Sequence, residues 1–170
     1  MLEGINMKYV LIGKIVNTHG LKGEVRILSS FKYKDKVFKN GMNIYIGKEK
    51  KNEVITSYRF HKIFDMVTMD GYNDINQILK YKGEYVFVNK EDIVLLDNEY
   101  LDEDIIGLNV YVDDRLLGVV KKIEKHSANE ILVVKNDEKN YLVPYNFDII
   151  LNIDLEQKEM HVKNIVGLFD

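Results

Sequence analysis

The chain contains no cysteine, a single proline (Pro144) and only three arginines (Arg26, Arg59 and Arg115). Without cysteine there are no disulfides, thiolate nucleophiles, zinc ribbons or iron–sulfur clusters, and a reducing compartment is suitable. With one proline, glycine and Asn/Asp clusters must punctuate the chain. Arginine is the preferred bidentate reader of phosphate and guanine. Three of them beside 21 lysines argue against a sequence-reading DNA surface. No apolar run approaches the ~18 residues that a membrane helix needs. The opening MLEGINMKYVLIGK has a short apolar stretch and no small-residue cleavage site, so no signal peptide, no membrane association and a cytoplasmic location are expected.

What is present is ordinary in amount and uneven in placement. The 170 residues are 46% hydrophobic and 30% charged, as in a folded protein, and suffice for one large or two small domains. A net charge of −3 excludes coating nucleic acid by charge alone. Residues 1–90 hold 16 Lys and Arg against 9 Asp and Glu, a net of +7. Residues 91–170 hold 8 against 18, a net of −10. A basic front and an acidic back suggest two domains with two kinds of partner.

Residues 8–16 read as a β-branched, largely buried strand. The turn NTHGLKG leads into EVRILS, where Val25 and Ile27 face one way and Glu24, Arg26 and Leu28 the other. Residues 30–41 read as a lysine-studded loop. Short strands are expected at MNIYIG, EVITSYRFH, EYVFVN and KIFDMVTMD, the last with Ile63, Met66 and Met69 as its apolar set. The one helix signal is DINQILKYKG, near 74–82. Asp74 is its N-cap, Ile75, Ile78 and Leu79 share a face, and Gly83 stops it. Six short strands and one helix suit a small closed barrel, whereas a parallel sheet needs a helix at each crossover.

Residues 91–98 read as a linker. Beyond it come IIGLNVYVDD and LLGVVKKIEKH, a NEILVVKN/NYLVPY hairpin, and one or two closing strands in DIILNIDLEQKEMHVKNIVGLF. The expected architecture is therefore mainly β, two small barrels at 1–90 and 99–170.

Motifs for chemistry are scarce. Ser29, Ser30, Ser57 and Ser127 sit in no G-x-S-x-G elbow. His19, His61, His126 and His161 are isolated from one another, unlike paired metal ligands. No glycine-rich phosphate loop occurs. Asp102, Glu103 and Asp104 form a carboxylate run. On a strand consecutive side chains alternate between faces, so a solvated turn is a better reading than a cation site or a metal-dependent hydrolase. No enzyme activity, metal or cofactor is expected.

Two stretches stand out. In VNTHGLKGEVR, residues 16–26, Gly20 and Gly23 permit positive φ and Lys22 projects a charge between them. A G-x-x-G also clamps phosphates in KH domains, but there helices flank it; from the residues alone, a hairpin turn that simply needs glycine is the better reading. In NEYLDEDIIGLNVYVDD, residues 98–114, an acidic, aromatic start leads into an apolar strand interrupted by Gly107. An ordinary strand beginning is the simpler reading.

Together these stretches resemble the RimM family of ribosome maturation factors, in order along almost the whole chain. IGKIVNTHGLKGEVRI (12–27) resembles the family's opening motif and DINQILKYKGEYVFV the end of its first barrel. DEDIIGLNVYVDDRLLGVVKKI resembles the start of its PRC barrel, SANEILVV and LVPYNFDIILNIDLEQK later PRC signatures, and VGLFD its tail. Asn129, Pro144 and Asp154 keep the family's spacing. Three departures are visible. Tyr100 is followed by Leu101 where the family often pairs aromatics, Asn164-Ile165-Val166 precede Gly167-Leu168 where it usually has P-E-G-L, and Ile78 stands where Ala is common.

The resemblance implies a translation-factor-like barrel followed by a PRC barrel. It implies a non-enzymatic role in assembly of the 30S subunit head and in 16S rRNA processing. It further implies binding of a head protein, ribosomal protein nineteen, mainly through the second domain. Tyr100, Leu101, Asp102, Asp104 and Gly107 are the expected contact region, and His19, Gly20, Lys22 and Gly23 a turn facing the ribosome or its rRNA. An acidic back half suits a basic ribosomal protein, and a basic front half suits rRNA. A monomer is expected. The competing reading is a stand-alone RNA-binding module that places Lys22 and the loop 32–39 on phosphates.

Overall fold

The computed structural model describes residues 7–169; what the sequence suggests about residues 1–6 and the tail residue Asp170 lies outside them. The chain divides into two units between Leu96 and Asp97.

The first unit is a closed antiparallel barrel in the order β1-β2-β5-β4-β3-β6. Its strands are β1 (Tyr9–His19), β2 (Glu24–Leu28), β3 (Asn43–Ile46), β4 (Lys51–His61), β5 (Phe64–Met69) and β6 (Tyr85–Asn89). Period-two alternation puts Val25 and Ile27, Ile44 and Ile46, and Val86 and Val88 inside, all essentially fully buried. Each such side chain contributes about 1.5–3 kcal/mol relative to leaving it exposed. In β5 the inward set is Asp65, Val67 and Met69. Ile63 falls instead in the β4–β5 turn and is 64% exposed, a correction to the expected pattern.

The lysine-rich stretch 30–41 is not a simple loop. Lys34–Val37 form a single helical turn, α1, and Tyr33, Val37, Phe38 and Met42 are buried. The cause is Asp65, fully buried on β5. Lys34 Nζ lies 2.8 Å from Asp65 Oδ2, and the Tyr58 hydroxyl donates to Oδ1 at 2.7 Å. Phe38 stacks on Tyr58 at 5.9 Å. Burial, and then the bond to Asp65, push the Tyr58 hydroxyl up to about 12. Lys34 is therefore an internal counter-ion.

Helix α2 (Ile75–Ile78) has the expected cap: Asp74 accepts from Asn76 N at 2.7 Å, and Gln77 Oε1 accepts from Asp74 N at 3.1 Å. After one turn it tightens into a 3-10 turn, Leu79–Tyr81. That rotation turns Leu79 outward, against expectation, and turns Tyr81 in. The Tyr81 hydroxyl donates to Glu53 Oε2 at 2.9 Å, and burial with that bond raises its pKa.

The second unit begins with a one-turn helix, α3 (Asp102–Ile105), followed by β7 (Asn109–Val112), β8 (Arg115–His126), β9 (Asn129–Lys135), β10 (Asn140–Pro144), β11 (Ile150–Asp154) and β12 (Glu159–Val162). They form one six-stranded sheet in the order β10-β9-β8-β7-β12-β11. The β7–β12 pair is parallel and joins the first and last strands of this unit within the sheet. Asp113 and Asp114 both take positive φ, 48° and 64°, as a two-residue hairpin turn requires. Ile105, Leu108, Val110, Val120, Leu132, Val143 and Met160 are among the core residues, with Phe169 of the tail packed against them. In the altered tail, Asn164 donates to Asp113 Oδ2 at 2.7 Å.

Candidate functional site

The HGLKG turn joins β1 and β2, with His19 paired to Glu24 across its base. Gly20 and Gly23 take φ of +66° and +87°. Their surroundings differ. A Cβ on Gly20 would meet open space, whereas one on Gly23 would stand 3.3 Å from both Asp74 N and Tyr72 O. The turn is also tied to α2, since Leu21 O accepts from Ile75 N at 3.1 Å. The anchored backbone holds Leu21 and Lys22 out in solvent.

The flank of the turn is charged. Arg59 makes a two-pronged contact with Glu24, Nε at 2.9 Å and Nη2 at 2.7 Å. Arg26 Nη2 donates to His19 Nδ1 at 2.6 Å, and the rings of His19 and His61 lie 6.0 Å apart. Arg26 Nε is buried without a hydrogen-bond partner. Two of the chain's three arginines thus engage His19 and Glu24 at the base of the turn, a cluster the sequence reading missed. Its only local signal was the outward register of Glu24 and Arg26.

The geometry makes the two glycines unequal. Gly20→Val should cost about 1–2 kcal/mol from the backbone alone. Gly23→Val should cost more, because its side chain also meets fixed backbone. Equal urea midpoints for the two variants would contradict this.

The Arg59 guanidinium holds the Glu24 carboxyl below the usual carboxylate range, against the opposing effect of burial; His19 and His61 add smaller lowering contributions. A carboxyl depressed on folding stabilises the fold above its unfolded pKa and loses that contribution as pH falls through the folded value. Glu24→Gln should therefore flatten the acid limb of a plot of unfolding midpoint against pH. Parallel acid limbs for variant and wild type would rule the pair out as a stabilising contact.

The second candidate region is built around α3. Residues 102–105 form a helical turn, and the strand expected from Ile105 onward begins only at Asn109. Asp102 Oδ2 lies 2.8 Å from Lys125 Nζ, which is 3.8 Å from Glu130. Asp102 Oδ1 is buried with no hydrogen-bond partner. Asp104 is half-buried, and its N–H donates to Leu101 O at 3.0 Å. Leu101, one of the residues expected to make contact, is 5% exposed, so most of its side chain lies inside the unit. Tyr100 is half-buried, with one side packed on the core. Gly107 takes φ +99° and donates its N–H to Val120 O at 2.8 Å, a structural role. Among the described residues no three His, Cys, Asp or Glu side chains are grouped to hold a metal ion. No helix there is long and apolar enough to cross a membrane.

The two units correspond to two known domains. The profile of the RimM N-terminal domain matches residues 10–93, and that of the RimM PRC barrel domain residues 102–168. The ribosome maturation factor RimM of Staphylococcus haemolyticus is 41% identical over 166 residues, covering 95% of this chain and 99% of that protein. Its namesake in Bacillus mycoides is 36% identical over 168 residues, covering 95% and 98%. The solution structure of the N-terminal domain of RimM from Thermus thermophilus is a looser likeness: 19% identity, 54% of this chain and all of that one, TM-score 0.46. With both domain profiles matched in order and full-length relatives above one-third identity, the chain belongs to the RimM family of ribosome maturation factors.

Proposed function

We propose that the chain is a non-enzymatic, cytoplasmic assembly factor for the small ribosomal subunit. It binds a basic protein of the subunit head, ribosomal protein nineteen, through the second unit, and turns the first unit toward 16S rRNA. Family membership supports the role in ribosome maturation. The observation that carries the division of labour is the charge split at the boundary between the units. Residues 1–96 hold 16 basic against 11 acidic side chains, a net of +5, and residues 97–170 hold 8 against 16, a net of −8. Opposite fields draw a basic protein to one unit and an anionic polymer to the other. Binding favours one conformation of the head to the extent that the factor's affinity for it exceeds its affinity for the others.

Association kinetics of the full chain with purified ribosomal protein nineteen test this. The rate should fall as salt rises, and Asp104→Lys should slow association more than it speeds dissociation. Absence of binding, or binding at a salt-independent rate, would overturn the assignment. The rival module, which would use Lys22 and residues 32–39, loses one of its cations because Lys34 engages Asp65.

A further inference from the structure

The solvent face of β6, β1 and β3 carries more aromatic surface than the barrel requires. Leu11 is opposite Phe87, Phe87 opposite Tyr45, and Lys14 opposite Tyr85. Because Val86, Val88, Ile44 and Ile46 point inward, the partners between them point out. Tyr9, Leu11, Tyr45, Tyr85 and Phe87 therefore share one outer surface. Tyr9 packs edge-on to Tyr45 at 5.2 Å and to Phe87 at 6.4 Å. Tyr85 is 50% exposed and Leu11 52%. A contiguous apolar patch of this kind marks an interaction site more often than a bystander.

Two lysines define what it suits. Lys50 Nζ stands 4.2 Å from the centre of the Phe87 ring and 5.5 Å from that of Tyr9, and Lys14 Nζ stands 5.3 Å from that of Tyr85. Each cation rides on a flexible four-carbon stem, so it can leave the ring for another anion while the ring accepts a new stacking partner. The amides of Asn89 and Asn43 also lie on this face, and both have their oxygen engaged, Asn89 accepting from Glu91 N at 3.2 Å and Asn43 from Asn52 Nδ2 at 3.4 Å.

We propose that this face binds single-stranded RNA, bases stacking on Tyr85, Phe87 and Tyr9 while Lys14 and Lys50 move onto phosphates. Rings alternating with cations complement bases alternating with phosphates, and stacking tolerates any base. The net charge of +5 on residues 1–96 favours a polyanion over an acidic or neutral protein surface. The proposal rests on the reading that the first unit faces rRNA and gives that contact a location away from the HGLKG turn.

The test is a fluorescence-anisotropy titration of the full chain with labelled oligouridylate at several salt concentrations. Wild type should bind. Tyr85→Ala and Phe87→Leu should each weaken binding by about five- to a hundredfold, the range that one stacked base covers. Lys14→Gln and Lys50→Gln should each flatten the slope of log affinity against log salt by about 0.7. Circular dichroism and unchanged unfolding midpoints identify usable variants. Tyr85→Ala, at an exposed position, and Lys14→Gln, which keeps most of the side-chain stem, decide the matter should Phe87→Leu unfold the barrel. No binding by wild type, or wild-type binding by the folded variants, overturns the proposal. The same variants titrated against immature small subunits separate the two readings. Loss of oligonucleotide binding in variants of a chain that never binds subunits removes the rRNA-facing reading and leaves the face. Weakened subunit binding with unchanged oligonucleotide binding makes the face a protein-docking surface and overturns the proposal.

Discussion

Replacing Lys34 with methionine is expected to destabilise the first barrel by about 3 kcal/mol. Removing one partner of a buried ion pair costs about 3–5 kcal/mol. The low end applies because Lys34 is 32% exposed and water screens part of its charge. The loss leaves Asp65 fully buried, with only the Tyr58 hydroxyl to hold it. It should also loosen α1, whose Phe38 stacks on that same tyrosine. The double variant Lys34→Met/Asp65→Leu should recover most of the stability, because an apolar pair of similar volume leaves no stranded charge. Urea unfolding of wild type, both single variants and the double variant completes the cycle. A Lys34→Met variant within about 0.5 kcal/mol of wild type would show that the pair is not a stabilising element.

The second large effect concerns binding. If the second unit docks a basic ribosomal protein at α3, Tyr100→Ala should weaken the complex by about 2 kcal/mol, roughly thirtyfold. Most of the change should appear in the dissociation rate. Tyr100 also packs against the Ile105 and Leu108 core, so truncation disturbs the unit as well as the surface. Tyr100→Phe keeps the ring on the core and should retain most of the affinity. A folded Tyr100→Ala variant that dissociates at the wild-type rate would reduce the ring to packing. Leu101 is not a useful second site, being buried in the free protein.

The sequence by itself determined the elements whose cause is local. Alternating β-branched residues mark strands, and Asp74 marks the start of α2. The motifs from IGKIVNTHGLKGEVRI onward mark the family. Tertiary structure decided whatever depends on residues distant in sequence. Asp65 becomes a buried charge only because α1 brings Lys34 to it. Glu24 meets Arg59 only because β5 lies between β2 and β4. Periodicity of two says that side chains alternate but not which neighbours a face will have. The rings of Tyr9, Tyr45 and Phe87 therefore form one surface only when closure of the barrel lays β6 between β1 and β3.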